Sequence, residues 1–373
     1  MPNAIPNTII PYDTLFEKYF IYFRDCLQSM KALVKTEKGV GAELIDVPKP
    51  EIGPNDVLVK VKTASICGTD LHIYFWDEWA QKRIHPPRTF GHELAGTVVE
   101  IGSDVTTVKI GDFVSAETHI VCGKCYQCSN GNAHVCKDIK ILGVDVDGAF
   151  AEYVKIPETN AWKTSSEIPA QIASVQEPLG NAVHTVLSEP VSGKSVLVLG
   201  CGPIGLMAVS VAKCCGAYPV IAADINGYRL DIAKKMGADL TIDASKEDVL
   251  NEVMNATGGL GVDVSLEMAG SKTTIGESFK AVKPAGRVSM LGIALEPMEI
   301  DVSEDIVFKG LRIYGITGRR MFETWHTLKS LLESGRLDLS PLLTHEFRLD
   351  EYENAFALAR SGKCGKVILK VSE

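Results

Sequence analysis

The sequence predicts an α/β protein in two lobes, a small β-barrel and a doubly wound parallel sheet. Three observations carry that expectation. Short alternating strands punctuated by turn residues run from Met30 to about Glu177, strands and helices alternate from about Pro178, and a glycine-rich turn opens the first helix of the alternating part. At 373 residues the chain has room for two or three domains of roughly 150 residues each. Its 46% hydrophobic and 23% charged residues are those of an ordinary globular protein. No run of 18 apolar residues occurs, so no membrane-spanning helix is expected. The 38 basic residues against 47 acidic ones give a net charge of -9 without any basic stripe, which argues against a nucleic-acid binder.

Taken in order, the first 29 residues stand apart. Leu15, Phe16, Tyr19, Phe20, Phe23 and Leu27 fall at helical spacing, but the segment has no Arg-rich face and is expected to be an extension or docking arm, not a targeting helix. A chain beginning at Met30 is expected to fold and turn over like the full one. Strand patterns follow at Lys31–Lys35, Val57–Lys62, Gly96–Ile101 and Gly148–Val154, separated by turns such as Gly53-Pro54 and Gly111-Asp112. Beyond Pro178 the pattern is Ser195–Leu199, a helix Pro203–Cys215, a strand Pro219–Asp224 and a helix Asn226–Met236. Strands at Val262–Leu266, Gly286–Met290 and Leu311–Gly315 continue it, and helix-separated strands pair in parallel through right-handed crossovers. Two helical patterns, Phe322–Glu333 and Leu349–Arg360, precede a last strand, Lys366–Val371.

Ten cysteines, clustered and with no secretory signal before them, indicate metal ligation in a reducing compartment, the cytoplasm. Cys122, Cys125 and Cys128 are spaced by two residues each, and Cys136 follows after seven. Four thiolates close a tetrahedral zinc shell with no place for water, so this site is structural. A redox dithiol would need a single C-x-x-C beside a βαβ unit. Cys67 and the pair His92-Glu93 form a second set, one thiolate and one imidazole, a mix that suits zinc with an exchangeable position. Either Glu93 or Glu177 completes that shell. The third motif is Gly200-Cys-Gly202-Pro-Ile204-Gly205, lying between a strand and a helix, with Asp224 ending the next strand 19 residues later. Gly200 permits the tight turn, Gly202 lets backbone amides approach a pyrophosphate, and Gly205 lets the helix pack closely. Asp224 would bind the adenosine ribose hydroxyls and repel a 2′-phosphate, favouring NAD over NADP, while Arg229 is an acceptor site for a 2′-phosphate, a solvated helix charge or an adenine-stacking group. Trp76 and Trp79 are either core or pocket wall. Cys26, Cys201, Cys214, Cys215 and Cys364 are expected to be free thiols. His85, His119, His134, His184, His326 and His345 are assigned no chemistry.

From Met30 onward the chain resembles the zinc-containing medium-chain dehydrogenases, on Gly91-His92-Glu93, the four-cysteine lobe and the glycine fingerprint. The stretches Cys67–Trp79, Glu177–Val183 and Met321–Trp325 are similar to the branch that acts on L-threonine, whereas polyol and butanediol dehydrogenases typically lack the Trp76-Asp-Glu-Trp79 run. The resemblance implies a GroES-like catalytic domain at 30–177 and 321–373, a Rossmann NAD-binding domain at 178–320 inserted into it, and an extension at 1–29. It also implies two zinc ions per chain, a homotetramer, and cofactor contacts from Ile204, Asp224, Arg229, Leu291, Gly292, Ile293, Ile316 and Thr317. The implied reaction is oxidation of L-threonine at its β-hydroxyl to 2-amino-3-oxobutanoate, as in threonine catabolism. Thr69 and His72 are implied to relay the hydroxyl proton to solvent, with Glu177 as a third catalytic group. Some members carry Asp where this chain has Glu177. A polyol or 2,3-butanediol dehydrogenase is the alternative among enzymes, and a non-catalytic zinc- and NAD-binding scaffold is the alternative of another class.

Overall fold

The structure of the protein, a computed structural model, describes residues 29–372, so the arm expected at 1–29 lies, but for Ser29, outside the described residues, and so does Cys26. From Val196 onward the chain builds a parallel sheet of six strands. Their order across the sheet is Leu240–Asp243, Val220–Asp224, Val196–Leu199, Val262–Glu267, Val282–Met290 and Arg312–Gly315. Counted along the chain this is 3-2-1-4-5-6, the doubly wound order, whose switch point opens a crevice at the carboxyl ends of the first and fourth strands. The first strand is buried on both faces: Val196 and Val198 point into one core with Leu206, Val209 and Leu266, and Leu197 and Leu199 point into the other with Ile221, Val253 and Phe279. Such two-sided burial is why these strands are continuous apolar runs instead of alternating ones. The helix after the glycine turn, Pro203–Cys214, begins on a proline at its first position, where no amide hydrogen is needed.

The other lobe is a seven-stranded sheet ordered Ala161–Lys163, Phe113–Ala116, Glu93–Ile101, Asp56–Ser65, Lys366–Lys370 and Leu343–Arg348, with Tyr153–Pro157 also paired to Asp56–Ser65. The last strand joins it antiparallel, with Ile368 opposite Ser65, so the C-terminal segment returns to the first lobe. A smaller sheet of Ser29–Lys35, Glu43–Pro48 and Arg88–Thr89 packs beside it. The helix Gln176–Val186 runs unbroken through Glu177 and Pro178 and buries Leu179 and Val183 in the core of the parallel-sheet lobe.

The pattern between Met30 and Glu177 is less uniformly β than its alternation suggests. Helices occupy Gly68–Phe75, Glu78–Arg83 and Ala170–Ser174. The first two start because Asp70 accepts a hydrogen bond from the Cys67 amide at 2.9 Å and Asp77 accepts from the Trp79 and Ala80 amides. These caps outweigh the β preference of Ile73, Tyr74 and Phe75. The strand expected at Gly148–Val154 is a strand only from Tyr153. Residues 148–152 spread their backbone hydrogen bonds over Thr89–Gly91, Lys31–Leu33 and Val61, so the alternation is present without one continuous ladder.

Candidate active site

Two neighbouring strands bring the candidate metal-binding set together. Ser65, at the end of Asp56–Ser65, lies opposite Glu93, at the start of Glu93–Ile101, so Cys67 just after one strand meets His92 just before the other. The donor atoms of Cys67, His92 and Glu93 all lie within 4.8 Å of one another. His92 is buried, and its Nδ1 sits 3.5 Å from Asp70 Oδ1, neither atom having a hydrogen-bond partner. A carboxylate behind a ligating imidazole fixes its orientation and raises its basicity. Burial pushes the His92 pKa down, but the charges of Asp70 and Cys67 outweigh it and hold it well above the usual value. Negative groups crowded around a buried imidazole fit a divalent cation. Glu93 is also buried: its Oε1 accepts from Lys366 Nζ at 2.6 Å and its Oε2 from the Ser65 hydroxyl. Burial raises its pKa against the opposing charge of Lys366.

Glu177 is not among the donors within 4.8 Å of one another. It occupies the first turn of Gln176–Val186, where its Oε1 accepts from Arg319 Nη1 and, at 3.2 Å, from the Thr118 hydroxyl. Burial would raise its pKa; Arg319 and then His92 outweigh that and keep it low, so an ionised carboxylate stands beside the cluster. Thr69 Oγ1 is 3.9 Å from Cys67 Sγ. His72 is half exposed, with Nδ1 on Asp77 and its ring centroid 5.9 Å from that of Trp79. The two tryptophans are placed differently. Trp76 packs against the barrel core with Lys35 Nζ 4.9 Å from its ring, and Trp79 lies exposed beside His72.

The four-cysteine lobe is equally well assembled. Cys125 Sγ lies 3.5 Å from Cys128 Sγ and 3.8 Å from Cys136 Sγ, and Cys136 Sγ lies 3.5 Å from Cys122 Sγ. Four sulfurs at about 2.3 Å from one zinc are about 3.8 Å apart at a tetrahedron's corners, so the cage has the size of the ion. Backbone N–H groups of Cys128 and Lys137 lower the Cys125 pKa to about 6, while desolvation and the neighbouring thiols push Cys128 up to about 12. Backbone amides of Cys122 and Asp138 both donate to Cys136 Sγ at 3.4 Å.

The cofactor candidates gather at the carboxyl ends of the parallel strands. Gly200 has φ +97°, and a Cβ on Gly205 would lie 1.9 Å from the Gly200 carbonyl oxygen, so both positions exclude side chains. Around Gly202 the space is open, as a pyrophosphate approach requires. Ile204 is half buried at the start of the helix. Asp224 ends its strand with Oδ2 accepting from the Cys201 amide at 2.6 Å and Oδ1 from the Asn226 amide at 2.8 Å, which fixes the carboxylate beside the turn. Arg229 is half buried with Nε unpartnered. Leu291 and Gly292 donate their amides to the Glu267 carbonyl at 2.9 and 3.1 Å, and Ile293 beyond them is exposed. Ile316 donates to the Met290 carbonyl and is buried, and Thr317 is exposed.

Sequence reasoning missed Ser65, Asp70, Glu117, Arg319, Trp325 and Lys366. It also passed over His119, which lies 3.2 Å from both Arg319 Nη2 and Glu117 Oε1. The available signal was modest: Glu117 is an acid closing the short strand Phe113–Ala116, and Arg319 closes the loop before Met321.

Family comparison places this geometry. A model of the alcohol dehydrogenase GroES-like domain matches residues 53–166, and one of zinc-binding dehydrogenases matches residues 203–334. The L-threonine 3-dehydrogenase of Pyrococcus horikoshii is 55% identical over 342 residues, 91% of this chain and 98% of that one. An Escherichia coli protein described as a short chain alcohol dehydrogenase, complexed with NADH, superposes with a TM-score of 0.85 at 32% identity, over 92% of this chain and 100% of its own. The 2R,3R-butanediol dehydrogenase of Bacillus subtilis gives 0.82 at 29% identity, over 92% and 100%.

Proposed function

Because the chain belongs to the zinc-containing alcohol dehydrogenase family, we propose that it oxidises L-threonine at the β-hydroxyl with NAD, giving 2-amino-3-oxobutanoate and NADH. The observation that carries the substrate is the 55% identity to an L-threonine 3-dehydrogenase over 98% of that enzyme's length, against 29% to a butanediol dehydrogenase.

The site residues fit the reaction. Cys67, His92 and Glu93 would hold the catalytic zinc, and Cys122, Cys125, Cys128 and Cys136 the structural one. A zinc ion in the first site supplies a Lewis acid that lowers the pKa of the substrate hydroxyl, as it lowers that of water from about 16 to about 7. Thr69, beside Cys67, accepts the hydroxyl proton and passes it to His72, whose half-exposed ring returns it to solvent while Asp77 holds Nδ1. Arg319 and Thr118 both donate to Oε1 of Glu177, and Oε2 of the ionised carboxylate is the acceptor for the substrate's ammonium group. A site with such polar partners rejects alcohols that lack them far more strongly than an apolar pocket could. The Gly200–Gly205 turn would take the pyrophosphate and Asp224 the adenosine ribose, with the loops after the fifth and sixth parallel strands left to hold the nicotinamide half. The direct test is to incubate the zinc-loaded protein with NAD and L-threonine. One NADH should form per 2-amino-3-oxobutanoate, and Glu177→Gln should lower turnover strongly while NAD binding stays nearly intact.

Asp224→Ala should weaken NAD binding and narrow the preference over NADP. The carboxylate that would bind the ribose hydroxyls also repels a 2′-phosphate, and charge-assisted hydrogen bonds of this kind are worth about 1.5–3 kcal/mol. Dissociation constants for both nucleotides check it. Equal use of NADP by the unmodified protein would reassign Arg229 as a phosphate clamp.

We also propose a cytoplasmic homotetramer. Among the described residues no helix is long and apolar enough to cross a membrane. The outer strand of the parallel sheet, Arg312–Gly315, leaves its backbone edge and Ile313 open, and exposed Leu295, Val302, Val307 and Phe308 come from the segments just before it. Open strand edges beside apolar side chains pair with another copy. Ile313→Asp should shift the protein to a smaller species in sedimentation, and an unchanged sedimentation coefficient would remove this edge from the assembly.

A further inference from the structure

Glu117 is fully buried just beyond the barrel strand Phe113–Ala116, and Arg319 and Trp325, which bond to it, lie more than 200 positions away in sequence. Its Oε2 accepts from Arg319 Nε at 2.9 Å and from Trp325 Nε1 at 2.6 Å, while its Oε1 accepts from Arg319 Nη2 and from the His119 amide at 2.9 Å. Its backbone is tied as well: Asn160 Nδ2 donates to the Glu117 carbonyl at 2.7 Å, and the Glu117 amide donates to the Asn160 carbonyl at 2.9 Å. Burial would raise its pKa, but the paired guanidinium of Arg319 outweighs that and keeps it ionised. Two parallel N–H···O bonds to a planar fork make a pair with a defined orientation, which a point charge would not give.

Arg319 extends the chain of contacts. It is also buried, and all its nitrogens are engaged: Nη1 on Glu177 and, at 3.1 Å, on Asn181 Oδ1, and Nη2 additionally on the Thr118 hydroxyl at 2.9 Å. A guanidinium whose donors are all taken by protein is not free to bind substrate. The fold makes room for it, since a Cβ on Gly180 would lie 2.4 Å from Arg319 Cδ. Arg319 follows the last parallel strand, Glu177 stands in the first turn of Gln176–Val186, and Trp325 lies in the helix Glu323–Glu333. One carboxylate from the barrel therefore orients the guanidinium that, among the described residues, forms the ion pair with Glu177.

We propose that Glu117 is a positioning residue of the reaction: itself braced by the Trp325 indole N–H, it holds the Arg319 guanidinium and so fixes the Glu177 carboxylate at the substrate site. This rests on the reading of Glu177 given above. The prediction is a pattern of coupling, because residues acting through one another lose additivity while independent ones keep it. Zinc content, NAD affinity by calorimetry, and kcat/KM for L-threonine are measured for Glu117→Gln, Glu177→Gln and the double variant. Glu117→Gln should lower kcat/KM by about tenfold or more, yet by less than about twofold when Glu177 is already Gln. Two zinc ions per chain and NAD affinity should be retained. L-Threonine binding to the enzyme–NADH complex should show the same loss of additivity. Should Glu117→Gln fail to fold, Trp325→Phe removes the indole donor while keeping a buried aromatic ring, and should show a smaller loss that likewise disappears beside Glu177→Gln. Effects that multiply independently overturn the proposal, as does an active Glu117→Gln protein with unchanged kcat/KM. Unchanged kcat/KM in Glu177→Gln overturns both this inference and the reading of Glu177, whereas a loss there with multiplying effects overturns this inference alone.

Discussion

Cys67→Ser should fold, bind NAD, keep one zinc per chain and turn over at least about 10³-fold more slowly, the loss of about 4 kcal/mol of transition-state stabilisation. The residue caps the helix Gly68–Phe75 through its backbone, whose amide donates to Asp70. A serine retains that bond, so the helix start survives. What disappears is the thiolate of a three-donor cluster, and a neutral hydroxyl is a poor ligand for zinc. His92 then loses one of the two negative charges that hold its pKa up. Metal analysis together with NADH formation checks the expectation. Full turnover with one zinc per chain would show that the cluster is not the catalytic one.

The second large effect concerns folding. Cys125→Ser should sharply reduce the yield of folded protein, and chelation of the lobe's zinc should lower the thermal midpoint of the unmodified chain. Cys125 is a buried corner of the cage, within 4 Å of two other sulfurs. Its segment, residues 122–136, contains only one turn of α-helix at Tyr126–Ser129 and a 3₁₀ turn at Ala133–Val135. Little apolar burial is available there to hold the loop. Structural zinc contributes about 10–16 kcal/mol of binding free energy in small zinc-dependent folds, more than the entire stability of a typical domain. Soluble yield, zinc per chain and the unfolding midpoint measure it. A Cys125→Ser protein with one zinc and an unchanged midpoint would contradict the structural assignment.

Much of this was legible from spacing. The doubly wound sheet follows from alternating elements, and its glycine turn carries positional meaning at each glycine, as Gly200 and Gly205 show in their backbone angle and packing. The four cysteines announce their cage because all four ligands sit within one short loop. Other features depend on long-range contacts that no local pattern encodes. Glu117 and Arg319 are 202 positions apart, and Glu93 and Lys366 are 273 apart. Glu117, Arg319 and Lys366 look like ordinary surface charges until folding buries them. Helix Gly68–Phe75 was hidden for a different reason: its aromatic and β-branched residues favour strand, and only the side-chain cap from Asp70 decides the outcome.

The central claim is the choice of substrate, and specificity constants test it most directly. With NAD saturating, kcat/KM is measured on the zinc-loaded protein for L-threonine, sorbitol and 2,3-butanediol. L-Threonine should exceed both others by at least about 100-fold, since its ammonium and carboxylate supply partners that the two polyols lack. Sorbitol or butanediol matching or exceeding L-threonine would contradict the account and leave only a zinc dehydrogenase of another specificity, and no turnover of any of the three would point to a scaffold.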